Sequence, residues 1–186
     1  MRKRFLSTVL VLIMLLSLAP MSALADDTFR SGDFTFVIET GVACVKKYNG
    51  SSSSVSVPSK VDYDGVTYKV RNIHQDAFKN CTTIQKLVLP ETVNRIGKQA
   101  FANCTSLNSI TINGDLNGVY TVDNTFYNIG ANSDYLNVTF GPEVTAIPSN
   151  LFDSTYSKSE GYYPHITSVT IPDSVTSIGL GAFNNC

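Results

Sequence analysis

Apolar residues recur along this chain with a fixed beat. The segment LVLPETVNRIGKQAFANC, from Leu87, reads apolar-x-apolar-Pro, then Val, then Ile-Gly, then Ala-Phe-x-Asn-Cys. The segment VTIPDSVTSIGLGAFNNC, from Val169, repeats those residues at the same offsets without a gap. Weaker copies lie elsewhere. One contains Val55, Val57, Pro58, Ile73, Ala77, Phe78 and Cys81; one starts at Ile110-Thr111-Ile112 and runs through Phe126; one starts at Val138-Thr139-Phe140 and runs through Phe152. The phenylalanines Phe78, Phe101, Phe126, Phe152 and Phe183 stand 23, 25, 26 and 31 residues apart. Self-similarity at 20 to 30 residues marks a solenoid whose coils stack on one another.

The chemistry of one unit follows from its pattern. Leu87 and Leu89 are two apart and face the same side of an extended chain. Pro90 lacks an N–H and ends the strand. Val93 and Ile96 predict a second short extended piece. Gly97 predicts a backbone turn that a Cβ would resist, and Ala100-Phe101 predict one inward-facing helical turn. A single unit cannot bury this surface, so neighbours must stack, Phe on Phe and Ile on Ile.

Residues 26–54 do not fit the beat. Phe34, Phe36 and Ile38 alternate, and Asn49-Gly50 is a strong hairpin signal. This region is read as a β-hairpin cap over one end of the stack, with residues 55–186 forming about five units, the last incomplete. The unit ending at Cys186 is followed by no polar cap, so the array is expected to continue beyond it.

Residues 1–25 read as an export signal. Arg2, Lys3 and Arg4 precede an apolar stretch from Phe5 to Leu18, and Ala23-Leu24-Ala25 supplies a small-residue cleavage site. The run falls short of the roughly 20 residues of a membrane span. Cleavage leaves 11 of the 14 Lys and Arg against 15 Asp and Glu, a net charge of −4. That balance argues against nucleic acid, which needs clustered basic charge, and against an anionic membrane surface; no second apolar run follows, so no insertion into a membrane is expected after cleavage.

Nothing in the sequence reads as catalytic, metal-binding or cofactor-binding. His74 and His165 lie in no metal or nucleophile motif, and G-x-S-x-G, P-loop and G-x-G-x-x-G patterns do not occur. Cys81, Cys104 and Cys186 occupy one slot in different units and are expected as a ladder of buried thiols rather than disulfides or a zinc site. Cys44 has no equivalent. The sequons at Asn49, Asn80, Asn103 and Asn137 are treated as coincidental.

At this point the repeat closely resembles the BspA-type leucine-rich repeat of bacterial surface proteins, the Treponema-pallidum-like class. Leu89-Pro90, Ile96-Gly97, Ala100-Phe101 and Asn103-Cys104 carry the resemblance, with Ile171-Pro172, Ile178-Gly179, Ala182-Phe183 and Asn185-Cys186. It implies a β-rich α/β leucine-rich-repeat solenoid, curved, with a parallel sheet on its concave face. It also implies export and interaction with proteins or surfaces. The middle units depart from the pattern, lacking the Pro, the Gly or the Cys.

Two features are candidate binding surfaces. One is the outward side of the strands, with Thr111, Thr139 and Thr170 between the buried residues. The other is the loop DSTYSKSEGYYPH, which lengthens the longest period and carries Tyr156, Tyr162 and Tyr163; tyrosine is enriched in binding hot spots. The reading is a secreted, non-enzymatic module that recognises an extracellular protein or glycan. The alternative is a structural spacer or stalk, with surface attachment supplied by a region beyond Cys186.

Overall fold

In the computed structural model, the described residues are 27–116, 125–153, 164–184 and 186. The segment read as a signal lies outside them. The described residues form thirteen strands and no helix. A parallel sheet of β4 (Ser54–Ser56), β7 (Lys86–Leu89), β9 (Ser109–Ile112), β10 (Leu136–Phe140) and β12 (Ile166–Thr170) runs along one side, in the order β12-β10-β9-β7-β4. Each of its four strand-to-strand steps is one turn of the stack, because each step carries the next repeat.

The alternation read from sequence fixes which side chains enter the core. Leu87 and Leu89 are buried while Lys86 is exposed and Val88 half-buried. Ile110 and Ile112 repeat this on β9, as do Leu136, Val138 and Phe140 on β10. The strands pair without slippage between Leu87, Ile110 and Val138, since a one-residue shift would turn the apolar set to solvent.

A second set of parallel pairs lines another side of the coil. It comprises β3 (Val42–Tyr48), β6 (Val66–Ile73) and β8 (Arg95–Ile96), and further along β11 (Ala146–Ile147) with β13 (Ser177–Ile178). Ile73, Ile96 and Ile147 point inward from it.

The helical turn expected at Ala100-Phe101, and with it the α/β class, does not form. The residue two before Phe78, Phe101, Phe152 and Phe183 has positive φ: Asp76 (58°), Gln99 (52°), Asn150 (57°) and Gly181 (67°). So does the residue two after: Asn80 (64°), Asn103 (61°) and Asn128 (55°). Left-handed residues at both flanks cannot belong to a right-handed helix. The freed N–H groups donate to the next coil instead. Phe78 N bonds Ala100 O at 2.7 Å, Phe101 N bonds Thr125 O at 3.0 Å, and Phe152 N bonds Ala182 O at 2.8 Å. Backbone satisfaction thus runs between coils, which is what the stack requires.

Gly97 has a different role from the turn expected of it. Its φ is not positive; a Cβ there would lie 2.5 Å from the backbone N of Gln75, one coil away. Gly179 stands in the same relation to Ser149. The Ile-Gly of the repeat marks a close approach between coils.

The N-terminal region is a three-stranded antiparallel unit: β1 (Thr28–Ser31), β2 (Phe34–Glu39) and β3. The hairpin between β2 and β3 turns at Thr40-Gly41, both with positive φ, and a further hairpin joins β5 (Lys60–Tyr63) to β6 at Asp64-Gly65, likewise. These are the features of type I′ turns. Asn49-Gly50, expected as the hairpin turn, is not one. Asn49 N donates to Asp33 O at 2.8 Å, and its side-chain amide donates to Thr35 Oγ1 at 2.9 Å, so the pair locks the cap where the chain leaves β3. The cap is not separate from the stack, since β3 pairs in parallel with β6.

An aromatic column threads the molecule. Tyr48 stacks on Phe78 at 5.4 Å, and the column continues through Phe101, Phe126, Phe152 and Phe183 at 4.9, 5.3, 4.7 and 5.7 Å. Around Tyr48, Phe34, Phe36, Phe29 and Tyr63 form the aromatic underside of the cap. In the coil that holds Phe183, Val169, Ile171 and Ile178 stand where an inner coil has buried Leu87, Leu89 and Ile96, yet they are 37%, 40% and 53% exposed; Leu180, in the slot of Lys98, is 88% exposed.

Candidate functional site

The register of the five-stranded sheet brings the threonines together. Thr111 is paired with Thr139, and Thr139 with Thr170. On the other side Thr111 faces Val88, which faces Ser56. One row therefore runs Ser56-Val88-Thr111-Thr139-Thr170 across the outward face. With strands about 4.8 Å apart, the row spans about 19 Å. Thr111 and Thr139 are half-buried among neighbouring strands, and Thr170 is exposed on the edge.

A second row, two residues earlier in each strand, reads Ser54-Lys86-Ser109-Asn137-Ser168. Ser168 Oγ donates to Asn137 Oδ1 at 2.6 Å. Together the rows give a face of seven hydroxyls, one amide and one apolar side chain, Val88, with a single charge, Lys86. β-branched threonine suits exposed strand positions in its own right, and the row is also a regular array of hydroxyl donors and acceptors at strand spacing. Tyr156, Tyr162 and Tyr163, the other candidate surface, lie outside the described residues.

No disulfide joins Cys44, Cys81, Cys104 and Cys186. The ladder is graded in burial. Cys104 is buried and donates to Phe78 O at 3.2 Å; Cys81 is half-buried; Cys186 is exposed, with its thiol against Phe152 O at 3.5 Å. Burial raises all three thiols, Cys104 from 9.0 to about 12 and Cys186 to about 11. Such thiols are protonated and poor nucleophiles at neutral pH. Of the two units between Cys104 and Cys186, the one that holds Phe126 places buried Ile129 in this slot.

Asn80 and Asn103, which precede Cys81 and Cys104, and Asn128 at the same offset do what the sequence did not announce. Asn103 Nδ2 donates to Asn80 Oδ1 at 2.9 Å, and Asn128 Nδ2 donates to Asn103 Oδ1 at 3.0 Å. Asparagine tolerates the left-handed backbone required there and adds an amide ladder across coils. The recurrence of Asn at one offset was the available signal. The sequon residues Asn80 and Asn103 therefore have structural partners.

Sequence reasoning also missed a pocket on the second parallel face. About 310 Å³ in volume, it opens where the cap meets the first coils. Its residues come from the end of β2, from β3, from the ends of β6 and β8, and from the turns that follow those two strands. His74, expected only at a turn, lies in its wall.

Residues 161–186 match the family described as BspA type leucine rich repeat region (6 copies). No curated protein matches the chain. Among solved structures, the leucine-rich repeat protein of T. pallidum is 24% identical with a TM-score of 0.53, over 85% of this chain and 67% of that one. The pneumococcal vaccine antigen PcpA is 12% identical with a TM-score of 0.51, over 85% of this chain and 42% of that one. A leucine-rich cell surface protein from Faecalibacterium prausnitzii A2-165 is 24% identical with a TM-score of 0.49, over 84% of this chain and 45% of that one. The chain thus spans less than half the length of the last two.

Proposed function

We propose, for a chain whose residues 161–186 match the BspA-type leucine-rich repeat, that it is a secreted or cell-surface binding module without enzymatic activity, and that the threonine face holds its partner. The observation that carries this reading is the in-register row Thr111-Thr139-Thr170. A nearly neutral face of this breadth suits an extracellular protein better than a small molecule, which favours an enclosed pocket. A glycan is the other ligand class, and hydroxyl-rich strands suit it less because the rows hold no aromatic ring on which a sugar stacks. The name of the Faecalibacterium relative describes a cell surface protein. Export of this chain rests on its N-terminal pattern.

The test is capture. Immobilised fibronectin and laminin, and a glycan array, are probed with the protein and with a variant carrying Thr111→Lys, Thr139→Lys and Thr170→Lys. These positions point away from the core, and because the three lysines would be cross-strand neighbours, a melting curve checks that the variant is folded. Capture by a matrix protein that falls at least tenfold in the variant supports the reading. Capture unchanged by the variant moves the partner off this face, and Tyr156→Ala, Tyr162→Ala and Tyr163→Ala then tests the loop. Absence of capture by either panel favours the structural spacer.

A further inference from the structure

We propose that the pocket at the junction of cap and solenoid is a subsite for one acidic sugar residue, of the uronic-acid type. It lies on a different face from the threonine rows, so its failure leaves the reading above standing.

The chemistry of the walls argues for this ligand. Glu39 comes from the end of β2, Asn72 from β6, Gln75 from the turn after it, and Arg95 and Lys98 from β8 and its following turn. The register sets the spacing: Cys44 is paired with Asn72, and Asn72 with Arg95, so amide and guanidinium stand one strand apart. Glu39 is an acceptor only and the two amides are both donor and acceptor, the combination that vicinal hydroxyls require. Arg95 supplies a planar fork matched to a carboxylate. Neither Glu39 nor Arg95 is drawn into an ion pair among the described residues, so both keep their capacity for a ligand. An anion alone would leave Glu39 opposed to it; a neutral sugar would leave the guanidinium without a counter-charge. A sugar that carries a carboxylate answers both.

The floor is the backbone of β6 and β8 beside Cys44, which is 2% exposed, because Ile73 and Ile96 turn their own side chains into the core. Gly97 contributes by being bare, since coil and coil approach closely there and a side chain would displace the Gln75 backbone. The volume of about 310 Å³ falls at the small end of ligand pockets and fits one ring rather than a chain.

The experiment is an NMR titration of the protein with D-glucuronate, with D-glucose, acetate and inorganic phosphate as comparisons. Glucuronate is expected to shift the amides of residues 72–75 and 95–98 saturably, with glucose and acetate at least tenfold weaker. Arg95→Gln, at an exposed position, is expected to weaken glucuronate about tenfold while the spectrum elsewhere stays native. Glu39→Gln is expected to narrow the preference for glucuronate over acetate. Equal binding of glucuronate and glucose, equal binding of glucuronate and phosphate, an unaffected Arg95→Gln variant, or no saturable shift of these amides each overturns the proposal.

Discussion

The rings of Phe101 and Phe126 lie 5.3 Å apart and within 7° of parallel, although 25 residues separate them in the chain. Phe101 is fully buried, with Phe78 stacked on its other side at 4.9 Å. Truncating it opens a cavity between two coils that the backbone ladders hold at fixed spacing, so the site cannot collapse. Phe101→Ala is expected to cost about 3–5 kcal/mol. Phe183→Ala, only half-buried at the end of the column, is expected to cost less than half as much. Urea denaturation of both variants checks this; equal midpoints would show that the column does not act as a continuous stack.

Asn103 joins two requirements, a φ of 61° and a place in the amide ladder. Its substitutions separate them. Asn103→Gly keeps the backbone easy but removes both hydrogen bonds, about 1 kcal/mol each net. Asn103→Ala removes the same bonds and adds the left-handed penalty of about 1–2 kcal/mol. Asn103→Gly is therefore expected to melt above Asn103→Ala. The reverse order would mean that the backbone conformation is not what selects this residue.

Much of this was legible in the chain because the core residues alternate. Leu87, Leu89, Ile110, Ile112, Val138 and Phe140 declared both their strands and their facing direction, and the phenylalanine beat declared the stack. Ala100-Phe101 misled, because an inward-facing apolar pair between polar residues reads as a helical turn. The deciding facts were the left-handed conformations at Gln99 and Asn103, and Gln99 carries no sign of one. Asn49-Gly50 misled for a related reason: the dipeptide permits a hairpin, but Asp33 and Thr35 already claim Asn49. The threonine row could be read as a set, since it follows from register. The pocket could not, because it joins Glu39 from the cap to Arg95 from a repeat, and no periodicity relates them.

Thr40 is a β-branched residue held at φ 49° in the β2–β3 turn, before Gly41 at 78°. That turn favours Asn-Gly, and a β-branched residue is a poor occupant of the left-handed region. Thr40→Asn is expected to stabilise the cap by about 1 kcal/mol and to raise the melting temperature by a few degrees. A lower melting temperature would show that the Thr40 side chain makes a compensating contact.

Leu180 is 88% exposed in the last coil, while Ile96 in an inner coil is 3% exposed. The same kind of residue therefore has opposite consequences when charged. Leu180→Lys is expected to change stability by less than about 0.5 kcal/mol and to reduce self-association at high concentration, because it breaks an exposed apolar patch. Ile96→Lys is expected to unfold the chain. Sedimentation velocity with thermal melting reads both effects, and a large loss of stability in Leu180→Lys would place that side chain in a contact.

The Cys104 thiol links stability to alkaline pH. Burial pushes it up from 9.0 to about 12, with nearby Cys81 adding to the shift. In the unfolded chain the thiol loses its proton near its ordinary value, whereas in the folded chain it keeps it. Below about pH 9 both states are protonated and the contribution to stability is fully present. As pH rises from about 9 toward 12, only the unfolded state ionises, and stability falls by at most about 1.4 kcal/mol per pH unit from this group. Cys104→Val removes the linkage and nearly preserves the volume. Its urea midpoint is expected to fall less between pH 8 and 10.5 than that of the parent. Alkylation runs in parallel: iodoacetamide at pH 8 is expected to reach Cys104 only in urea, and the exposed Cys186 slowly in the folded state, since its own thiol is raised to about 11. Rapid labelling of Cys104 in the folded protein, or equal pH slopes for parent and variant, would show that the thiol is not held protonated by burial.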